Sequence, residues 1–236
     1  RQVRACATAT GRLAKTDALD AAALAHCAAA LHPAARPVPA AAGQALAAVG
    51  ARRRQVVGML RAQQHRSQHA LPTVRATGTA HLQWREQALA DRDAELDQTR
   101  HASPLWRARD QLLRSGPGVG PTVALPRIAA HLPQRGQGSA RHLATLVGLA
   151  PLTRASGTWR GTRALWGGRR QVRTALYLAA RVGIRFHPVV RACSEQLLAR
   201  GTPKQVALTA GMHQLLTLLP AVLRDRTPWQ PTLLAA

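Results

Sequence analysis

The stretch LWRARDQLLRSGPGVGPTVALPRIAAHL, Leu105–Leu132, reads as a helix, a tight turn and a second helix. Apolar residues recur at helical spacing on both sides of a turn built from Gly116, Gly118 and Gly120. Outward from it the same grammar repeats. Towards the C-terminus, helices are expected at Ser139–Val147, Arg169–Arg185, Pro188–Ala199 and Pro203–Leu223, divided by His187-Pro188 and by Gly201 and Pro203. Between them Ala150–Gly168, rich in glycine, threonine and tryptophan, reads as loop or a short hairpin.

Towards the N-terminus, Asp17–Leu31 reads as an alanine-rich helix starting after a capping Thr16 or Asp17 and stopping before Pro33. HPAARPVPA, His32–Ala40, reads as a linker. From Gln44 to Ala70 the pattern is helical, with Leu46, Val49, Val56 and Leu60 on one stripe. A second helix over Ala80–Arg100 spaces Leu82, Leu89 and Leu96 seven apart, and PTVRATG, Pro72–Gly78, would turn one back on the other. The fold class is therefore mainly α. Three parts are expected: residues 1–40, an antiparallel coiled-coil arm at 41–102, and a compact helical domain at 103–236.

The charge balance points to a class of partner. Thirty-three basic residues face ten acidic ones, a formal net charge of +23, and only Lys15 and Lys204 are lysines. A compact chain with that excess repels itself unless a polyanion neutralises it, so the natural partner is nucleic acid. A GC-rich genome explains arginine in place of lysine, but not the scarcity of acids. Cys6, Cys27 and Cys193 fall in no zinc-ligand spacing and read as free thiols in a reducing cytoplasm. Val206–Leu223 approaches membrane-spanning length, but His213, Gln214 and Pro220 interrupt it, and a buried helix is expected instead of a membrane span. Arg1 stands where an initiator methionine would, without a signal-peptide pattern, which leads to the expectation that the chain continues a longer polypeptide.

Several motifs carry chemistry. SGPGVGPTVA, Ser115–Ala124, matches the hairpin of a helix-hairpin-helix module, in which backbone N–H groups of Gly116, Gly118 and Gly120 meet a phosphate; a tight helix-helix turn is the other reading. Asp17 and Asp20, at i and i+3, face the same way and suit a hard cation such as magnesium. They serve equally as a cap and a first-turn acid. Arg169, Arg170 and Arg173 open a helix whose other face is apolar, either a phosphate-facing surface or a solvated charge run. Ser156 and Gly157 lie in APLTRASGTWRG, Ala150–Gly161, a hydroxyl on a small turn beside Arg154, Arg160 and Arg163. Guanidinium groups can hold phosphate oxygens there bidentately, which suits a serine attacking a phosphodiester. No local base is evident.

APLTRASGTWRG resembles the serine-bearing motif of the insertion sequence 110 family of transposases. KTDALDA, Lys15–Ala21, and then GGRRQVRTALYLAA, HPVVRACSEQLLARGTPKQVAL and MHQLLTLLPAVLRDRTPWQP follow in the family's order. The resemblance spans Arg1 to about Pro231. It implies a DNA recombinase of a bacterial mobile element that cuts and rejoins strands through Ser156, uses magnesium, takes its specificity from a structured guide RNA and works as a homo-oligomer in the cytoplasm at the nucleoid. It further implies that Asp17 and Asp20 are the last two acids of an Asp-Glu-Asp-Asp set in an RNase-H-like domain, and that metal and serine domains meet across protomers.

The chain departs from the family at this point. The first two acids lie before KTDALDA in the family, and only fourteen residues precede Lys15. Residues 1–40 are thus expected to be the C-terminal remnant of that domain, leaving half a metal site. Glu86, Asp91, Asp93, Glu95 and Asp97 fall on the arm and do not replace the missing acids. Two other functions compete: a catalytically inactive nucleic-acid-binding remnant, and a junction nuclease using metal chemistry alone.

Overall fold

The computed structural model describes residues 2–32, 41–124, 128, 140–153, 155–161 and 163–230. The chain divides into two units, Arg1–Pro39 and Ala40–Ala236. The fold is mainly helical.

In the first unit, α1 (Gln2–Ala9) packs on α2 (Asp17–Leu31). Thr16 caps α2 as expected, its hydroxyl accepting from the Leu19 N–H. Arg4 Nη2 donates to the Leu13 carbonyl at 2.6 Å and ties down the connection. Little is buried here beyond Ala7, Ala23 and Cys27. Burial, together with a hydrogen bond to Cys6, pushes the Cys27 thiol pKa up. All three cysteines are free.

The second unit opens with α3 (Ala41–Gln68) and α4 (Pro72–Ala102), which pack on each other. The turn between them is shorter than the sequence suggested, because Pro72 starts α4 instead of breaking the chain. A proline costs nothing at a first helical position, where its missing N–H has no intrahelical partner. Gly78 thereby falls inside α4, where a side chain would stand 3.1 Å from Ser67 Oγ of the facing helix. Leu46, Val56 and Leu96 are buried, Leu82 and Leu89 half-buried, and Arg53 pairs with Asp93 across the hairpin.

Ser103 ends α4 and caps α5 (Pro104–Arg114), its hydroxyl accepting from the Trp106 N–H. Asp110, 2% exposed, lies between Arg100 and Arg114, each 3.2 Å away. Then come α6 (Pro121–Val123), α7 (Ala140–Val147), α8 (Arg170–Phe186), α9 (Pro188–Ala199) and α10 (Lys204–Asp225). Most of the second helix of Leu105–Leu132 lies outside the described residues.

The core forms where α8 meets α10. Val172, Ala175, Leu176, Ala179 and Ala180 on α8 face Met212, Leu215, Leu216 and Leu219 on α10, with Leu113, Val147 and Val190 closing the sides. Each fully buried leucine contributes roughly 1.5–3 kcal/mol. Small residues set the spacing: a side chain on Gly211 would stand 3.0 Å from Val190 Cγ1. By length and composition α10 could cross a membrane. Its apolar residues are instead explained by contact with α5, α7, α8 and α9. Beyond α10 the chain returns, and the Trp229 N–H donates to Ser115 Oγ at 2.8 Å with its ring 4.4 Å from that of buried His187.

Candidate functional site: a serine ribbon on a basic helical body

Between α7 and α8 the chain leaves the body as a narrow ribbon. Strand β1 (Pro151–Leu152) pairs antiparallel with β4 (Ala164–Leu165), and β2 (Ala155–Ser156) with β3 (Trp159–Arg160). Gly157 and Thr158 form the tip, and Gly157 has φ +56°. Positive φ at the first central residue of a two-residue loop is the arrangement that favours glycine and matches strand twist. Ser156 therefore stands exposed beside the tip, opposite Trp159, which is 59% exposed.

The base of the ribbon is fixed by close backbone approach. Gly148 (φ +78°) follows α7, and Gly168 (φ +65°) precedes α8. A side chain on Gly168 would collide with the backbone of Val147 and Gly148, and one on Gly148 with the Gly167 carbonyl and the Arg173 guanidinium. Arg173 Nη1 donates to the carbonyls of Gly167 (2.6 Å) and Val147 (3.1 Å), while the Arg169 N–H donates to Leu146 O at 2.9 Å. The ribbon's two ends are thus one joint.

The sequence-derived candidates separate into groups. Ser156, Gly157 and Arg163 share the ribbon, and Arg163, exposed, lies at its base rather than at the tip. Arg160 is in β3, opposite Ala155. Arg154 lies outside the described residues. Arg170 is exposed at the start of α8 and Arg169 caps it, whereas Arg173 turns inward and Nη1 is committed to the fold.

The glycine hairpin lies against α8 and Trp229. A side chain on Gly118 (φ +97°) would stand 2.6 Å from the Ala179 carbonyl of α8, and one on Gly116 would touch Trp229 at 3.9 Å. Only Gly120 of the three faces open space.

Asp17 and Asp20 occupy the first turn of α2, in the other unit. Among the described residues no cluster of three or more His, Cys, Asp or Glu could hold a metal. Two carboxylates supply only part of the oxygen ligand set that a magnesium ion takes.

Two adjoining cavities at the ribbon's base escaped the sequence reading. One, about 670 Å³ and mostly apolar, is lined by Leu149, Pro151, Leu165, Cys193, Val206 and His213 among others. The other, about 460 Å³ and more polar, is lined by Arg141, Thr145, Thr153, Arg163 and His213 among others. No local pattern announces them, because their walls come from α7, the ribbon, α9 and α10.

A helical body with a large arginine excess thus holds out a ribbon on which Thr153, Ser156 and Thr158 are exposed. Residues 110–195, which include the whole ribbon, match the model of the Transposase IS116/IS110/IS902 family. It is 36% identical over 140 residues to the insertion element IS110 uncharacterized 43.6 kDa protein of Streptomyces coelicolor, covering 57% of this chain and 33% of that protein. It is 30% identical over 144 residues to the pilin gene-inverting proteins of Moraxella bovis and Moraxella lacunata, covering 58% of this chain and 44% of each. The chain thus matches less than half the length of these curated relatives.

Proposed function

We propose that this chain is the serine-bearing portion of a bacterial insertion-sequence transposase, a DNA recombinase that cuts and rejoins strands through Ser156. The observation that carries this reading is the exposed Ser156 beside the tip of a ribbon that lies wholly within the family-matched segment. The serine Oγ attacks the phosphorus of a DNA phosphodiester, forming a serine–phosphate ester as one P–O bond to a deoxyribose breaks. The serine proton passes to solvent, and the departing deoxyribose oxygen takes up a proton. A hydroxyl on another strand then attacks the ester, frees the serine and rejoins DNA. One phosphoester replaces another throughout, so the bond is conserved.

Arginines near the ribbon neutralise the phosphate oxygens, with Arg141, Arg163 and Arg170 exposed among the described residues and Arg154 and Arg160 placed beside Ser156 by sequence. The coiled-coil character of the arm, phosphate contacts at Gly116, Gly118 and Gly120, a structured guide RNA, homo-oligomerisation and a cytoplasmic, nucleoid-associated setting belong to the same proposal, and family resemblance supports them. So does magnesium, with Asp17 and Asp20 as ligands alongside carboxylates that the described residues do not provide.

A second reading is that this polypeptide binds nucleic acid without cutting it, which the arginine excess alone would support. Binding is common to both. With about six phosphates contacted, the logarithm of affinity falls with the logarithm of salt at a slope of roughly −5. An affinity indifferent to salt would remove both readings, and a covalent adduct at Ser156 separates them.

A further inference from the structure

We infer that the paired cavities at the base of the ribbon hold one unstacked nucleotide of the bound strand, the base in the apolar chamber and its phosphate against Arg141 and Arg163. The inference rests on the nucleic-acid reading above and adds to it a place where a base leaves the stack.

The two chambers share Pro151, Arg163 and His213, so they adjoin along one wall. The apolar one, about 670 Å³, lies within the size range of small-ligand pockets and exceeds what a lone anion would need. Its walls supply aliphatic surface from Leu149, Leu165 and Val206. Thr209, His213 and Gln214 add hydrogen-bonding groups suited to a base edge. The polar chamber carries Arg141, Thr145, Thr153 and Arg163. Among the described residues no carboxylate lines either chamber, so the charge selects an anionic occupant.

Position strengthens the assignment. The cavity wall at Pro151 and Leu165 is also the first rung of the ribbon that bears Ser156. Four residues from Leu152 to Ser156 span at most ~13 Å of extended chain, about four nucleotides of stacked backbone. A strand whose phosphate sits at Ser156 can therefore reach the mouth of the cavity within about four nucleotides. Pulling a base out there would loosen the duplex beside the reacting phosphate.

The test uses the whole chain with single-stranded and duplex oligodeoxynucleotides carrying one 2-aminopurine, moved stepwise along the sequence. In a chamber without Phe, Tyr or Trp among its described lining residues the probe escapes stacking, so one position should brighten severalfold on binding. Removing the base at that position should weaken binding about tenfold, a result needing no variant. Val206→Trp, at a 53% exposed position on the cavity rim, should abolish the brightening and weaken binding of the intact strand about tenfold, while binding of the strand lacking that base stays as in wild type.

Binding with no position brightened and no cost to base removal overturns the cavity assignment and leaves the nucleic-acid reading standing. No binding overturns both. Loss of a dimer in Val206→Trp, with fluorescence unchanged, assigns the cavity to a second copy of the chain and overturns the inference.

Discussion

Arg173 Nη1 stands 2.6 Å from the carbonyl oxygen of Gly167, and the same nitrogen reaches the Val147 carbonyl at 3.1 Å. One guanidinium on α8 therefore fastens the exit of the serine ribbon to the end of the helix before it. Charged donors to partly buried carbonyls are worth about 1.5–3 kcal/mol, so Arg173→Ala should lower unfolding stability by about that much. Arg170→Ala, at an exposed neighbour, should stay within about 0.5 kcal/mol. Urea titrations of the two variants check the contrast. Equal effects would mean that the Arg173 contacts do not hold the joint.

Gly168→Ala tests the same joint by adding atoms. Left-handed strain and collision with the backbone of Val147 and Gly148 each cost roughly 1–3 kcal/mol, so a loss of about 3 kcal/mol or more is expected. Gly157→Ala at the tip shares the positive φ but meets nothing within 4 Å, and should cost only about 1–2 kcal/mol. Thermal melts of both proteins decide it. A Gly168→Ala protein as stable as Gly157→Ala would show that the ribbon's base is loose.

His187 is buried beneath Trp229, and burial pushes its pKa below the ordinary value. The unfolded chain therefore binds the proton more readily than the fold does. Stability contributed by the neutral imidazole is complete above the ordinary pKa of about 6.5 and is lost as the pH falls below it towards the lowered value. Melting temperature should drop between pH 7.5 and 5, and His187→Gln should flatten that part of the profile. A wild-type profile no steeper than the variant's would contradict this.

The first unit buries little apolar surface, with Ala7, Ala23 and Cys27 as its closed positions, whereas Val172, Ala175, Leu176, Ala179 and Ala180 of α8 are fully enclosed. Amide hydrogen exchange should thus be fast across α1 and α2 and slow across α8. Equal protection in the two would mean that the first unit gains stability from elsewhere.

The helices of the second unit were legible because their apolar spacing and their Pro and Gly punctuation agree. α10 was recognised as a buried helix on its interruptions alone. Where one residue type serves two ends, the reading failed. Pro72 suggested a turn but starts α4, since proline suits both. α1 was missed because QVRACATA has neither an evident cap nor a sustained stripe. Ser156 was visible through motif resemblance, and the ribbon as one of two local alternatives. Arg173 looked like its neighbours in a basic run, because only tertiary position turns one arginine inward and leaves another outside. The cavities were invisible for the same reason, being lined by residues as distant as Arg141 and His213.

The central claim is that Ser156 is the nucleophile. The direct measurement is denaturing gel analysis of labelled DNA incubated with the protein, expressed from the complete reading frame that encodes this chain, together with guide RNA and magnesium. Wild type should yield a protein-linked DNA species. Ser156→Ala should yield none, while binding DNA with unchanged salt dependence, since an exposed hydroxyl adds little to contacts dominated by arginines. A protein-linked species persisting in Ser156→Ala, or DNA cut by wild type without any such species, would contradict the account.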